Sequence, residues 1–571
     1  MKKLTTLMMA GVAASLMVSA ANAGRHSKRG ADGQLNIIYW QAASILNPYL
    51  SGGTKDTHAS SLVIEPLAKF DENGNIVPAL VEEIPTVENG GISADLTSIT
   101  WKLNKDIVWS DGSPLTAADV VFSGEYCMDP TGGCNSLPNF SDVKSIEAVD
   151  DHTVKITFKV AKPFPYGPFV GATVPIIQKA QFKDCMGAKA PTCTAQNFGP
   201  IGTGPFVVTE FKSNDVVVYA ANEKYRDPDK PAFSTLLLKG GGEAAAAARS
   251  VLETGEFDYA WNLQVEPEIL AQMSAAGKGK VVTAFGTSVE RLMIQSMAVS
   301  ADLGDKRGTK EGGPHPFLKD PAVREALSFA IDREILVEAG YGKAGQVTCN
   351  VLPAPAVYVS TANDSCKKQD VDRANKVLDD AGWAKGSDGI RAKDGVRLSI
   401  LYQTSTNGVR QGTQALIKQM WKAIGVETEL RNISASVFFG GDQSSPDTFQ
   451  KFFADIEMYT NNFQGTDPEK YMGSWACKEI PKPSNQWIGN NMPRYCNAEY
   501  DALVAEMGKT ASIEKRAALA MKMNDMLMKE RAMIPLIHRG NVSAHANSLN
   551  GVKLNVWDSE LWNVADWTRA K

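Results

Sequence analysis

Trp109-Ser110-Asp111-Gly112-Ser113-Pro114-Leu115-Thr116-Ala117-Ala118-Asp119-Val120-Val121-Phe122 joins a turn to a helix start. Asp111 and Gly112 supply the turn, because an Asp side chain bonds backbone two residues on and Gly tolerates positive φ. Thr116 is a helix N-cap and Asp119 stands at N3, the capping-box spacing, with its negative charge near the positive helix end. Upstream, Ile99-Thr100-Trp101-Lys102-Leu103 alternates apolar and polar residues, and downstream so does His152 to Phe158. Alternation of this kind marks half-buried strands. Strand, turn, helix and strand in one stretch read as a mixed α and β unit.

The same mixture extends outward. Leu35 to Trp40 reads as a first strand, residues 55–70 as a helix and a short strand, and Asp71-Glu72-Asn73-Gly74-Asn75 as a hairpin turn. Strands are expected at 216–219, 236–238, 257–261, 396–403 and 426–430. Helices are expected at 243–254, 321–339, 371–381, 408–424, 497–507 and 512–530. The segment 300–315 reads as an exposed loop. No internal repeat is visible.

The chain of 571 residues is too long for one core and suggests two or three domains. Its net charge of −5 gives no general attraction for nucleic acid or anionic lipid, so no nucleic-acid partner is expected. Lys2-Lys3, an apolar run from Leu7 to about Val18 and Ala21-Asn22-Ala23 form a signal-peptide pattern, with cleavage expected after Ala23. The run is too short to span a bilayer. No cysteine lies near the cleavage site to carry a lipid, so an untethered protein in the periplasm is expected. The eight cysteines fall into near couples, Cys127 with Cys134, Cys185 with Cys193, Cys349 with Cys366 and Cys477 with Cys496. In an exported chain these read as local disulfides.

Catalytic signals are missing. Gly340-Tyr341-Gly342-Lys343-Ala344-Gly345 matches a dinucleotide fingerprint but follows a helix instead of a strand. No GxSxG, HExxH or Walker A pattern occurs, so neither an enzyme nor a cofactor nor a bound metal is expected. The candidate ligand contacts are aromatic and polar residues at strand ends and in loops. They are Tyr39, Trp40 and Gln41 after the first strand, and Trp261 and Asn262 after another. Arg410 is added as a carboxylate donor. The loop from Tyr459 contributes Asn461, Asn462, Phe463, Gln464 and Asp467. Core packing is an equal alternative for Trp40 and Trp261, and the favoured one for Trp421.

Five blocks in order resemble the extracytoplasmic solute-binding proteins of family 5, which bind oligopeptides, dipeptides and nickel for ABC importers. They are Ile64-Glu65-Pro66-Leu67 with Asp71 to Leu80, then Trp101 to Leu103 with Trp109 to Phe122. Gly202-Thr203-Gly204-Pro205-Phe206 with Asn222 to Tyr225 follows, then Asp320 to Arg333, then Asp467-Pro468. Together they cover nearly the whole mature chain.

The resemblance implies an α+β (mixed α/β), two-lobed periplasmic-binding-protein-like fold of class II, with an extra subdomain inserted in lobe I. Lobe I is expected to comprise 24–66, 199–289 and 521–571, the subdomain 67–198, and lobe II 290–520. It also implies a small solute, peptide-like in the first instance, and the membrane permease subunits of an ABC importer as partners of a monomer. Peptide binders of the family place an Asp four residues before the Pro of the Asp-Pro motif, where it takes the peptide's ammonium group. Here that position is Gln464. An amide-rich, aromatic cleft also suits a sugar, an opine or a modified amino acid, with nickel or haem behind these. An exported hydrolase and a chaperone-like scaffold are the readings from other classes.

Overall fold

The computed structural model describes residues 28–570 apart from Gly441, Gln443, Gln464 and Ala511. The expected signal peptide and Gln464 lie outside the described residues.

Two long antiparallel strands, Gly279–Ile294 and Met533–Ala546, organise the molecule. The first half of one pairs with the second half of the other, Gly279–Phe285 against Gly540–Ala546. This part continues into a sheet with Tyr259–Trp261, Gln34–Tyr39, Thr235–Gly240, Val216–Ala221 and Phe206–Lys212. The register then slips between Phe285 and Val289. Beyond the slip, Val289–Met293 pairs with the segment from Met533 to His538, and this part continues through Ile456–Asn461, Ser399–Ser405 and Glu427–Ile433. Separate hydrophobic cores lie on the two sides. One gathers Leu35 to Trp261 and Leu549 to Trp567, the other gathers Leu292 to Ile537. The protein is therefore two-lobed, and the paired strands are the bridge between lobes.

The sequence blocks assemble the first lobe. Ser110 N–H donates to the Gly202 carbonyl at 2.9 Å, and Gly204 N–H to the Val63 carbonyl at 2.8 Å. A Cβ at Gly202 would run into the Val63 carbonyl, so this close approach requires glycine. Buried Glu65 accepts from Thr203 Oγ1 at 3.1 Å and Arg226 Nη2 at 2.5 Å. The helix Ala117–Met128 starts as expected. The Asp119 carboxylate accepts from Thr116 N–H at 3.0 Å and from Lys179 N–H at 2.9 Å. Strands Ser98–Lys102, Val143–Asp150 and Thr153–Phe158 form their own sheet, yet their buried residues share one core with Leu35, Ile37 and Phe206.

Three expectations change. The helix expected over 321–339 is two, Pro321–Phe329 and Arg333–Gly340, because Asp332 caps the second by accepting from Glu334 and Ile335 N–H. The boundary expected at 520/521 falls inside the helix Ile513–Glu530. That helix buries Ala517, Ala520, Met523 and Leu527 with Tyr471 and Trp475 in the second lobe, so the chain returns only along Met533–Ala546. Tyr459 to Asn461 end the strand Ile456–Asn461 and are not loop.

The four cysteine couples are paired as expected, with Cα–Cα separations of 4.6 to 5.9 Å. Among the described residues no helix is long and apolar enough to cross a membrane.

Candidate binding cleft

A cavity of about 410 Å³ lies between the lobes, within the ~300–1,000 Å³ common for small-ligand sites. The first lobe contributes Gln41, His58, Trp261, Asn262, Asp558 and Glu560. The second contributes Arg410, Phe439, Tyr459, Asn461, Phe463 and Tyr471. Strand ends place Gln41, Trp261, Asn262, Tyr459 and Asn461, helices place His58, Arg410 and Tyr471, and loops place the rest.

Trp261 presents an aromatic wall held from behind. Tyr39 stacks on it with ring centroids 4.6 Å apart, and His58 meets it edge-on at 5.3 Å. The Tyr39 hydroxyl is 3.0 Å from His58 Nδ1. Burial pulls the His58 pKa down to about 3, so the ring is neutral at ordinary pH. On the other side Phe439 and Phe449 both pack edge-on around Tyr459, with centroids 6.3 and 5.3 Å from it. The cleft thus has flat apolar faces on both lobes.

The polar groups are largely committed to one another. Arg410 Nε donates to Glu290 Oε1 at 2.8 Å, Nη1 to Ser405 Oγ at 3.1 Å and Nη2 to Thr460 Oγ1 at 3.3 Å. Burial alone would raise the Glu290 pKa, but Arg410 and Arg539 outweigh it and hold it below 4.5. Arg539 donates to Asn262 Oδ1 at 2.5 Å and stands 3.9 Å from Glu290. Asp467 accepts from Arg516 Nε at 3.0 Å and Nη2 at 2.6 Å. Glu469 pairs with Lys162 and Arg516.

The structure brings Gln41, Trp261, Asn262, Arg410, Tyr459, Asn461, Asn462, Phe463 and Asp467 to this cavity. It does not bring Tyr39 or Trp40 there. Tyr39 is enclosed behind Trp261, and Trp40 packs with Ala247 and Leu263 while its Nε1 donates to the Asn262 carbonyl at 2.8 Å. Arg410 reaches the cavity as half of an ion pair with Glu290, not as an open carboxylate donor. The sequence reading missed His58, Phe439, Tyr471, Arg539, Asp558 and Glu560. Among the described residues no group of three His, Cys, Asp or Glu side chains could hold a metal ion.

The model of bacterial extracellular solute-binding proteins, family 5, matches residues 75–480. The chain belongs to this family. Curated relatives agree in length. Protein XP55 of Streptomyces lividans is 28% identical over 74% of this chain and 72% of its own. The glutathione-binding protein GsiB of Shigella boydii is 22% identical over 95% and 94%. The oligopeptide-binding protein AppA of Bacillus subtilis, solved with a nonapeptide, superimposes with a TM-score of 0.79 at 22% identity. That superposition covers 95% of this chain and 100% of AppA. Family membership makes this chain an extracellular solute-binding protein, and the shared fold is the two-lobed one with its cleft between the lobes.

Proposed function

We propose that this protein is exported to the periplasm, captures a short peptide or peptide-like solute between its lobes, and delivers it to the permease of an ABC importer. The observation that carries the reading is the interlobe cavity with its paired aromatic walls and amide side chains Gln41, Asn262, Asn461 and Asn462. Such a site offers flat apolar area for side chains and hydrogen-bonding groups for a peptide backbone. A relative named for glutathione and a neighbour solved with a peptide support the same class. Arg410, Asp467 and Glu469 in the cavity wall are each held in an ion pair within the protein, a frame suited to binding. Relatives named as binding proteins support a binding role, taken here as that of a monomer with no chemistry of its own. Lobe I takes 28–66, 199–289 and the tail after Met533–Ala546 crosses back, with 67–198 as its inserted part. Lobe II takes the residues between.

Native mass spectrometry of the freshly purified protein tests this. The expected spectrum shows a one-to-one complex with a solute that fragments as a peptide or peptide conjugate. A sugar or metal chelate in its place would overturn the solute class, and turnover of a peptide or ester panel would overturn the binding role.

A further inference from the structure

Glu560 differs from the other charges of the cleft. It is 2% exposed and lines the cavity from the first lobe. Arg410, Asp467 and Glu469 each have an oppositely charged partner within 3.1 Å. Asp558 is held by three backbone amides, those of Phe70, Ala172 and Ser559, at 2.8 to 3.0 Å, and so ties the fold together. Glu560 has only neutral side-chain partners. Oε2 accepts from Tyr259 Oη and Ser543 Oγ, each at 2.7 Å, and Oε1 accepts from Asn541 Nδ2 at 3.1 Å. Among the described residues no cation forms an ion pair with it. A carboxylate has about four acceptor positions. Three are filled, and one on Oε1 remains for the cavity.

A buried carboxylate with no counter-ion is costly in a protein interior. Three neutral donors offset part of that cost, and a cation arriving from the cavity would offset the rest. Given that this cavity is the solute site, as proposed above, we propose that Glu560 seats a cationic amine of the solute, and that the cleft selects amine-bearing solutes over their neutral analogues. The ammonium enters beside His58 and Asn541, donates to Oε1, and leaves the rest of the solute against Trp261 and the second-lobe aromatics.

Burial pushes the Glu560 carboxyl above its ordinary 4.5, against the hydrogen bonds from Tyr259, Ser543 and Asn541 and the field of Arg539. An arriving ammonium stabilises the ionised form, so binding expels a proton wherever the empty site is protonated. The titratable groups facing Glu560 are His58, Tyr39, Tyr259 and Arg539. His58 titrates near 3, and burial carries both tyrosines well above 10. Asp558, two residues away, is also raised by burial, and the substitution below separates the two.

The test is calorimetric titration of the full-length mature protein with two probe sets. One holds glutathione, trialanine and trilysine, each with a free and an acetylated amino group. The other holds the non-peptide amines putrescine and spermidine. Wild-type protein is expected to bind at least one free amine about tenfold or more tighter than its acetylated or neutral form. Glu560→Gln is expected to erase that ratio, and Glu560→Asp to retain part of it. In wild-type protein, free-amine binding is expected to weaken as pH falls toward 4.5, with proton release visible in buffers of different ionisation heat. If only the non-peptide amines bind, and do so through Glu560, the peptide reading fails and the role of Glu560 stands. A free-to-acetylated ratio that survives in Glu560→Gln, or no preference for any free amine in wild-type protein, overturns the assignment. Lowered melting of Glu560→Gln with the ratio intact would mark a purely structural clamp on Tyr259 and Ser543.

Discussion

The backbone N–H of Gly465 donates to the carbonyl of Trp557 at 2.7 Å, and this bond joins the two lobes. Gly465 follows the second-lobe strand Ile456–Asn461, and Trp557 lies on the first-lobe tail. Gly465 has φ +70, and a Cβ there would stand 2.5 Å from Phe70 Cζ. Closure at this point therefore demands glycine for its backbone and for its lack of a side chain. Gly465→Ala is expected to hold the lobes apart and weaken solute binding by about tenfold, with melting of the ligand-free protein nearly unchanged. Calorimetry and thermal melting of the same sample check both parts.

A second contact between the lobes is ionic. Lys162 Nζ lies 2.5 Å from Glu469 Oε1, and both side chains are buried. Burial would push the Glu469 carboxyl up, but Lys162 and Lys470 outweigh it and hold it below 4.5. A carboxyl depressed in the closed form contributes stability above its ordinary pKa and loses it as pH falls through the lower value. Acid below about pH 4.5 is thus expected to loosen the closed form. Lys162→Gln, which leaves buried Glu469 to Arg516 and the field of Lys470, is expected to cost about 3 kcal/mol of closed-state stability. Scattering profiles of the solute-loaded protein, compared between wild type and variant, report it.

Glu457 is fully buried on the strand Ile456–Asn461. Its Oε2 accepts from Gln403 Nε2 at 3.1 Å, while Oε1 has no partner. Burial raises its pKa well above 4.5. The folded protein then keeps a proton that the unfolded chain releases, so this contribution is full below pH 4.5 and is lost as pH rises. Glu457→Gln is expected to be more stable than wild type at pH 7, by about 1–2 kcal/mol, and equal to it near pH 4. Urea unfolding at the two pH values measures the difference.

The disulfides close spans of 7, 8, 17 and 19 residues. Chain entropy assigns roughly 2–3 kcal/mol to each, with the longer loops at the upper end. Replacing Cys349 and Cys366 by serine is expected to cost more than replacing Cys127 and Cys134. Denaturant unfolding of the two double variants ranks them.

Local chemistry made much of the fold legible. The capping box at Thr116, the Asn-Gly turn at 73–74 and the alternating strands around Trp101 lie where their patterns place them. The bridge strands were not legible. Met533–Ala546 is buried on both faces for most of its length, and it carries Arg539 and Asn541 to the cleft, so no alternation survives. Trp261 was legible as a strand-end aromatic, whereas Tyr39 and Trp40 carry the same signal and face away from the cavity. Sequence cannot tell which face of a strand end meets the other lobe. Arg410 was found for its chemistry but not its partner, because Arg410 is on the helix Gly408–Ala423 and Glu290 lies 120 residues away on the strand Gly279–Ile294. Glu560 gave no signal, since its meaning depends on the absence of a neighbouring cation in space.

Calorimetric titration of the purified mature protein with di- to pentapeptides tests the central claim most directly. The account predicts saturable one-to-one binding by at least one peptide, weakened about tenfold in Gly465→Ala because the lobes no longer close on it. No heat from any peptide, with saturation by a sugar or an opine instead, would contradict it.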